Sequence, residues 1–419
     1  MTEKLHSAAT DTFRSLKHRN FRLYFSGQLI SQTGTWLSMV TQTLLVLKLT
    51  GSGVALGLLT AFQFGPILLL GAWGGAVADR KDKRRLLISV QAFAMAQSLA
   101  LGVVILTDLA SIPVIFALAA IQGVLNAFDN PTRRAFVVEM VPPEDLPNAV
   151  SLNSAVMTGS RVIGPAIAGA LVLTVGYGWP FIIDGLSYIA VIYGLAKMRP
   201  ADLNTSTPVP KKPGAVKEGL RYIHSQPYLY VPLVMTAIIG TFAFNFSVTM
   251  PLLVDGPLKG GTGSFTLLFS VLSAGSLIGA LSTARRTVIN PHHLVKAATG
   301  FAIAMALVAI SPNMWTVFPA AALVGLASMA FMTTSTAMVQ LLAGAEYRGR
   351  VLAIQAMVFL GSTPIGGPTI GWISETLGPR AGIATGAIAC LAAAGYGTRN
   401  LQTRTNITPD VKTPITTGT

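Results

Sequence analysis

The sequence contains almost no cysteine and few charged residues. Cys390 is the single cysteine among 419 residues, which excludes an internal disulfide and a cysteine-ligated metal site. Charged residues make up only 11% of the chain, compared with about a quarter of an ordinary soluble domain. Hydrophobic residues make up 52%. This composition, with a mean hydropathy of +0.60, predicts an integral membrane protein.

The usual signatures of catalysis are also missing. There is no phosphate-binding G-x-x-x-x-G-K-[ST] loop, so the chain alone is not an ATP-driven pump. No nucleophile elbow or zinc motif occurs. The histidines lie in polar segments, and their spacing does not form a metal-binding group: His6, His18, His224, His292 and His293. We therefore expect no enzyme activity, no cofactor and no bound metal.

The formal net charge of +14 would suit a nucleic-acid-binding protein, but its distribution indicates another role. Lysines and arginines cluster in the polar tails, in the loop Asp79–Arg85 and in the segment Met198–Gln226. The loops on the other side hold only Lys48, Lys259 and Arg380. Because cytoplasmic loops carry the excess of Lys and Arg, both termini are predicted in the cytoplasm, and no nucleic-acid binding is expected. The polar N-terminus predicts no cleavable signal peptide.

Twelve apolar runs are long enough to cross a bilayer, which takes about 20 residues. They predict an all-α integral membrane fold of twelve transmembrane helices in two pseudo-symmetric six-helix bundles. The spans are predicted at about 21–47, 54–77, 86–107, 112–138, 148–174, 179–196, 228–254, 264–284, 293–311, 314–342, 350–374 and 380–397.

The polar segments divide the chain into five parts. These are a cytoplasmic tail at 1–20, an N-terminal bundle at 21–197, a cytoplasmic linker at 198–227, a C-terminal bundle at 228–397 and a second cytoplasmic tail at 398–419. Within the linker, a short amphipathic helix is predicted near Ala215–His224.

One fixed offset of 202 residues relates the two bundles. Met157–Gly169 reads MTGSRVIGPAIAG, and Phe359–Gly371 reads FLGSTPIGGPTIG. The matched pairs are Gly159 with Gly361, Ser160 with Ser362, Ile163 with Ile365, Gly164 with Gly366, and Gly169 with Gly371. A repeat of this kind indicates two similar halves. Arg161 breaks it, because its counterpart is Thr363, so the repeat does not account for the arginine.

The loop after the second span, Gly74–Leu87, reads GGAVADRKDKRRLL. It resembles the loop 2–3 signature of the major facilitator superfamily, G-x-L-a-D-R-x-G-R-[RK], although Asp82 stands where the family usually has glycine. The matching residues are Gly75, Asp79, Arg80, Lys83 and Arg84. The resemblance implies a cytoplasmic gate that locks the halves together, with Asp79 facing Arg350 at the start of span 11 or facing Arg133. A plain positive-inside loop is the alternative.

Longer stretches resemble the drug:proton antiporter branch of the same superfamily, which includes bacterial siderophore and macrolide exporters. They read RNFRLYFSGQLISQTGTWL, AFDNPTRRAFVVEMVPPEDLPNAVSLNSAV and RVIGPAIAGAL in the first half, and EYRGRVLAI in the second. In span 5, Gly159, Gly164, Pro165 and Gly169 resemble the antiporter motif of the family. Small residues let helices approach closely and proline bends a helix, so tight packing is an alternative to a role in preventing leak.

Three charged residues within the spans are candidates for coupling to protons, because an intramembrane charge needs a partner and is often functional. Arg161 lies near mid-membrane; Asp129 is its first expected partner and Asp184 its second. Holding an anionic substrate is another possible role for Arg161. The Asp-Asn-Pro run at 129–131 is expected to break span 4. Asp129 either forms a local pair with Arg133, or it is a protonatable site that gains and loses Arg161 as its partner during transport. Asp184 is either a proton site or a shallow, hydrated residue.

Polar and aromatic side chains in the spans are candidates for a substrate cavity. In transporters built from repeats, the site lies near the midplane between the halves. Hydrogen bonding between helices is the alternative for each residue. The candidates are Gln28, Gln32, Trp36, Gln63, Gln122, Asn126 and Asn245, with Phe62, Phe242 and Phe244.

Together these features predict a monomeric transporter whose partners are a small-molecule substrate, protons and the lipid bilayer. It is expected to export amphipathic compounds, such as tetracyclines, macrolides or a siderophore, by alternating access driven by proton influx. An uptake symporter for a metabolite and a membrane sensor without transport are the alternatives. Direction of flux distinguishes the first, and ligand binding without flux distinguishes the second.

Overall fold

The computed structural model describes residues 12–204, 215–284, 291–344 and 346–402, and no β-strand occurs within them. Their α-helices are α1 (Arg19–Thr50), α2 (Gly53–Arg80), α3 (Lys83–Leu106), α4 (Ile112–Met140), α5 (Leu146–Val175), α6 (Gly178–Ala196), α7 (Ala215–Ser225), α8 (Pro227–Phe242), α9 (Phe246–Asp255), α10 (Gly261–Ala284), α11 (Pro291–Ile310), α12 (Met314–Leu342), α13 (Arg348–Thr376) and α14 (Pro379–Gln402). Parts of the predicted tails 1–20 and 398–419 and of the linker 198–227 lie outside the described residues.

Within the described ranges, eleven helical segments are long and apolar enough to cross a membrane. These are α2 to α6, α8 taken together with α9, and α10 to α14. Helix α1 has 32 residues but is more polar, because it carries side chains such as Gln28 and Gln32. Large apolar side chains cover the outside of the bundle, as Leu69, Ile310 and Trp315 show with exposures of 79%, 71% and 85%. A surface of this kind suits contact with lipid rather than water.

The bundle has two ends, which are named here by the course of the chain. The proximal end is the one at which α1 begins and α14 ends, and the distal end is the opposite one. At the proximal end, Arg19 donates to the carbonyl of Lys197 at 2.8 Å, which ties the start of α1 to the end of α6. At the distal end, Arg380 donates to the carbonyl of Ala309 at 2.8 Å and ties the start of α14 to the end of α11.

The predicted repeat appears as matched helix contacts in the two halves, residues 12–204 and 215–402. In the first half, α1 packs on α5 and α6, α2 on α4, and α3 on α6. In the second half, α8 packs on α13 and α14, α10 on α12, and α11 on α14. The two most extensive contacts between the halves, α2 with α13 and α5 with α10, are also related by the repeat.

The contacts that join the halves are closest at the distal end. A side chain at Gly57 would lie 2.6 Å from backbone atoms of Gly367 and Pro368, so α2 and α13 touch backbone to backbone there. An apolar cluster also joins the halves, since Leu37 and Val40 of α1 and Ala168 of α5 are buried among side chains of the second half. The distal end is therefore closed between the halves.

Two local predictions differ from the structure. The predicted single span 228–254 is interrupted between α8 and α9, because the Asn245 side chain donates to the carbonyl of Thr241 at 2.7 Å and its own carbonyl starts α9. The predicted break at 129–131 was wrong: α4 continues through Pro131. The Ala127 carbonyl, which the proline leaves without a helical donor, lies against Gly74 of α2, where no side chain stands in the way.

The helix predicted near 215–224 is α7, which lies at the proximal end against the start of α13. Glu218 forms an ion pair of 2.9 Å with Arg350. The rings of Tyr222 and Tyr347 stack with centres 4.2 Å apart. These contacts fix α7 to the second half.

Candidate functional site

Asp184 lies on α6 at the centre of a buried polar site inside the first half. The residue is 3% exposed, and its Oδ2 accepts hydrogen bonds from the hydroxyls of Ser38 on α1 and Ser98 on α3, each 2.8 Å long. Its Oδ1 has no hydrogen-bond partner among the described residues. Within the same part of the chain, no Lys, Arg or His forms an ion pair with it. A buried carboxyl group is thus left with one unused acceptor and no described counter-charge.

A cavity of about 80 Å³ borders Asp184, and its lining combines polar and apolar side chains. It is enclosed by α1, α2, α3, α4 and α6, so it lies within the first half rather than between the halves. Three predicted cavity residues line it: Gln63, Gln122 and Asn126. Gln63 donates to Gln42 at 2.8 Å, and Gln122 donates to Asn126 at 3.2 Å. The cavity has room for a few water molecules, whereas ligand pockets for drug-sized molecules measure about 300–1,000 Å³.

Asp129 lies in a separate buried pair on α4. Its Oδ2 accepts from Arg133 at 2.5 Å, one helical turn away, and its Oδ1 accepts from Gln91 of α3 at 2.6 Å. Both residues of the pair are buried, at 7% and 8% exposure. The local pair with Arg133 is therefore the arrangement that the structure contains, and the expected pair between Asp129 and Arg161 is not formed.

Arg161 lies on α5, half-buried, with its guanidinium carbon 4.8 Å from the centre of the Trp36 ring on α1. No carboxylate of the described residues is within ion-pair distance of it, Asp184 included. The neighbouring Ser160 hydroxyl is 3.2 Å from that of Thr33, which holds α5 against α1 beside the arginine. Arg161 and Trp36 thus form one cation–π pair at the contact of α1 and α5.

The predicted gate loop connects helices of the first half at the proximal end. Lys83 forms an ion pair of 2.7 Å with Glu139 at the end of α4. Arg84 donates to the carbonyls of Leu195 and Ala196 at the end of α6, at 2.6 and 2.8 Å. These contacts hold α3, α4 and α6 together at their proximal ends.

The remaining gate candidates occupy the same end. Gly75 and Asp79 are half-buried near the end of α2, and Arg80 is exposed. The two expected partners of Asp79 are engaged elsewhere, since Arg133 pairs with Asp129 and Arg350 pairs with Glu218. Among the described residues, the ion pairs of both arginines are thus with other acids while the distal end is closed.

The antiporter-like motif packs α5 against two different helices. At Gly164 a side chain would meet Trp36 and the backbone of α1, and at Gly169 it would meet Thr266 of α10 in the second half. Pro165 is buried between them, whereas a side chain at Gly159 would meet nothing within 4 Å. The motif therefore joins α5 to its own half at one level and to the other half at a more distal level.

The other cavity candidates are engaged in contacts within and next to their own helices. Gln28 is buried and accepts from Gln32, one turn along α1, at 3.4 Å. Asn245 is 4% exposed and holds the interruption between α8 and α9 described above.

A polar link between the halves was missed in the sequence. Glu375, at the end of α13, accepts from the Ser52 hydroxyl at 2.6 Å and from the Val54 amide at 3.0 Å, at the start of α2. These hydrogen bonds join the first half to the second half at the distal end. The available signal was an acid near the distal end of span 11 and a serine typical of a helix N-cap before span 2, but their proximity depends on the tertiary fold.

Comparisons with known proteins identify transporters. The family model described as transmembrane secretion effector matches residues 10–408. The chain is 26% identical over 354 residues to the Staphyloferrin A transporter of Staphylococcus aureus, covering 82% of this chain and 87% of the relative. It is 21% identical over 360 residues to Macrolide efflux protein A of Streptococcus pyogenes, covering 84% and 89%. A bacterial homologue of the human lysosomal transporter Spinster, solved in an inward-facing and unoccupied conformation, superposes with a TM-score of 0.73 at 14% identity, covering 92% of this chain and 98% of that one.

Proposed function

The chain belongs to the transmembrane secretion effector family of the major facilitator superfamily, and from this premise we propose that it exports amphipathic small molecules in exchange for protons. Siderophore and macrolide are the cargo classes suggested by its relatives, the Staphyloferrin A transporter and Macrolide efflux protein A. Export proceeds by alternating access, in which the two halves rock about a site between them.

We propose that α1 also spans the membrane, which raises the number of spans from eleven to twelve. It packs on α5 and α6. Its polar side chains face protein rather than lipid, since Gln28, Ser31 and Gln42 are buried. Basic side chains concentrate at the proximal end, where Lys83, Arg84 and their neighbours lie. By the positive-inside rule, we propose that this end faces the cytoplasm, and both termini with it.

The observation that carries the proton-exchange function is the buried carboxyl of Asp184. An ionised carboxylate without a counter-charge is costly to bury, so the residue is suited to take up a proton and to release it when the surroundings change. The unused Oδ1 offers a place for the proton, and the adjoining polar cavity provides room for the waters that would deliver it. Asp129 lacks these properties, because Arg133 already neutralises it.

Helix α1 connects the proton site with the cleft between the halves. Its Ser38 donates to Asp184, and a side chain at Gly34, one turn earlier, would lie 2.7 Å from the Asp184 carboxylate. Its Trp36 lies on the side that faces α5 and carries the cation–π contact with Arg161. Protonation of Asp184 weakens its acceptance of the Ser38 hydroxyl, and we propose that the resulting shift of α1 changes how the halves close.

The test uses inside-out vesicles with an acidic interior, and proton movement is followed with a pH-sensitive dye. Tetracyclines, macrolides, cationic dyes and siderophores are added one at a time. The wild type is expected to dissipate the gradient with at least one compound, Asp184→Asn is expected to lose that response, and folded Asp129→Asn is expected to keep it. Unchanged exchange by Asp184→Asn would refute the role of this residue. No response of folded wild type to any compound would refute proton antiport for the panel.

A further inference from the structure

We propose, on the basis of the export function above, that Arg161 and Trp36 form a cargo-binding site for amphipathic anions, in which the guanidinium binds a carboxylate or similar group of the exported molecule. The export function alone leaves the charge of the cargo open. Three features of the structure favour a negatively charged cargo. Arg161 has no acidic partner among the described residues, it lies on the face of α5 that meets the second half further along the helix, and it contacts an aromatic ring.

Arg161 is a cation in a membrane span without an acidic partner among the described residues. Charged residues inside membranes pair with one another or face a water-filled cavity. The two acids expected to pair with Arg161 do not do so, since Asp129 pairs with Arg133 and Asp184 accepts hydrogen bonds from two serine hydroxyls. The Trp36 ring stabilises the positive charge but does not neutralise it. An anionic group of the cargo would supply the missing partner.

Arg161 lies on the face of α5 that meets the second half further along the helix. Residues 150, 154, 157, 161, 165 and 168 recur at helical spacing and share one face of α5. On the proximal side, Val150 and Met157 are 48% and 44% exposed. On the distal side, Ala168 is 0% exposed and is buried against side chains of the second half. Arg161 lies at the level where this face changes from open to covered.

Aromatic side chains from both halves pack against one apolar cluster. Trp36 packs at the margin of the apolar cluster that closes the distal end, and Phe244 of the second half packs at the margin of the same cluster. Phe244 meets Phe359 of α13 edge to face, with ring centres 5.0 Å apart. A ligand held by the guanidinium would therefore have an apolar or aromatic body next to its charge.

The repeat supports a binding role over a packing role. Thr363 occupies the position in α13 that corresponds to Arg161 in α5, so this position carries no charge in the second half. The neighbouring serines nevertheless make corresponding helix contacts in both halves. Ser160 contacts α1, and Ser362 lies against Gly240 of α8 in the corresponding way. Helix packing at this position thus does not require an arginine.

The experiment compares two fluorescent probes that share a xanthene ring system and differ in charge, 5-carboxyfluorescein and the cation rhodamine 123. Binding to the full chain in nanodiscs of zwitterionic lipid is measured by fluorescence anisotropy, and empty nanodiscs provide the blank. We expect wild type to bind carboxyfluorescein more tightly than rhodamine 123. Arg161→Gln should weaken carboxyfluorescein binding by about 10-fold or more, the usual effect of losing a hydrogen bond between charged groups, without weakening rhodamine 123 binding. Arg161→Lys should restore part of the loss.

Lys197→Gln is the matched control. Its ammonium also lies over an aromatic ring, 5.7 Å from the centre of Tyr193, but the residue is exposed at the proximal end outside the cleft. This variant should bind both probes like wild type. Thermal unfolding confirms that each variant is folded before it is compared.

Two results would overturn the assignment. One is the absence of carboxyfluorescein binding to folded wild type, and the other is an unchanged affinity in Arg161→Gln. Because binding is measured without a pH gradient, its outcome is independent of proton exchange. Loss of carboxyfluorescein binding in Arg161→Gln with rhodamine 123 binding retained would support the cargo site, whereas intact carboxyfluorescein binding by wild type with no gradient response in the vesicle assay would refute the antiport proposal alone.

Discussion

Asp145 organises the charges at the proximal end, just before α5. Its carboxylate pairs with Arg14 at 2.6 Å, with Lys17 at 2.8 Å and with His18 at 2.7 Å. The hydrogen bonds from His18 and Lys17 lower the pKa of Asp145 to about 2. One acidic residue thus attaches the segment before α1 to the turn between α4 and α5.

This pKa predicts a specific loss of stability in acid. The unfolded aspartate has a pKa of about 3.9, so the ionised form stabilises the fold above that pH, and this contribution disappears as the pH falls from about 4 to about 2. We expect the thermal midpoint of wild type to exceed that of Asp145→Asn between about pH 5 and 7. The difference should shrink below about pH 4. Asp108→Asn, which changes an exposed aspartate at the distal end, is the control. A difference that persists unchanged to about pH 2 would exclude the charge as its cause.

Asp129 and Asp184 show why a buried acid identified in a sequence does not reveal its role. Both lie within predicted spans, and both were candidates for proton coupling. In the structure Asp129 has a cation one turn away, whereas Asp184 has two hydroxyl donors and an unused oxygen. The pair of Asp129 with Arg133 was foreseeable from their spacing of four residues. The serines around Asp184 come from α1 and α3, and only the packed bundle brings them together.

At the scale of helices, the link between α13 and α2 is the polar contact that closes the distal end. Glu375 accepts from Ser52 and Val54 at the N-terminus of α2, where the helix dipole favours a negative charge. Because Glu375 is exposed, solvent weakens the link, and we expect it to contribute about 0.5–1 kcal/mol to closure. Its loss should shift the protein toward states that are open at the distal end.

This shift is measurable with two spin labels on distal loops, Leu109→Cys in the first half and Leu377→Cys in the second. Both leucines are exposed, at 71% and 73%, and the buried Cys390 is replaced by alanine. Adding Glu375→Gln should increase the population of long distances between the labels. Glu346→Gln, an exposed glutamate at the proximal end, serves as the control and should leave the distances unchanged. Identical distance distributions in both variants would show that Glu375 does not hold the halves together.

Hydropathy and spacing predicted most helices, and the exceptions have physical causes. Eleven of the predicted spans correspond to helices that are apolar enough to cross a membrane. Helix α1 has a lower hydropathy because it carries polar side chains, which are buried inside the first half. The continuity of α4 through Pro131 depends on Gly74 of a neighbouring helix. The interruption at Asn245 depends on a side chain that replaces a backbone donor. Each outcome is decided by a contact between or within helices that no local pattern specifies.

At the scale of the whole molecule, the sequence repeat predicted the arrangement of the halves better than it predicted the site. Two of the glycine pairs at the offset of 202 residues occupy equivalent positions, because Gly164 packs on α1 as Gly366 packs on α8, and Gly169 and Gly371 both meet the opposite half. The repeat carries no information on which conformation is adopted. It also cannot locate the functional charges, since Arg161 and Asp184 belong to the first half alone.

Closure at the distal end implies that the cleft is open from the proximal end. Met157, which lies on the same face of α5 as Arg161 but nearer the proximal end, is 44% exposed, and Ala168 on the same face is fully buried. In a protein whose single native cysteine is buried, Met157→Cys should therefore react with a bulky, impermeant maleimide, and Ala168→Cys should not. If the proximal end is cytoplasmic, the reaction occurs in inside-out vesicles and is absent from right-side-out ones.

Obstructing the distal contact should close this access. In Gly57→Leu the added side chain meets the backbone of Gly367 and Pro368 at 2.6 Å or less, so α2 and α13 cannot approach as they do in the wild type. Overpacking of this kind costs about 1–3 kcal/mol, which shifts an equilibrium between two states by about 5- to 150-fold. Labelling of Met157→Cys should slow accordingly, because the halves then favour the state that is closed at the proximal end. Gly65→Leu changes the same helix where an added Cβ meets nothing within 4 Å, and it should label at the original rate. Equal labelling of the two double variants would mean that opening the distal end does not close the proximal end, and the halves would then not rock as rigid units.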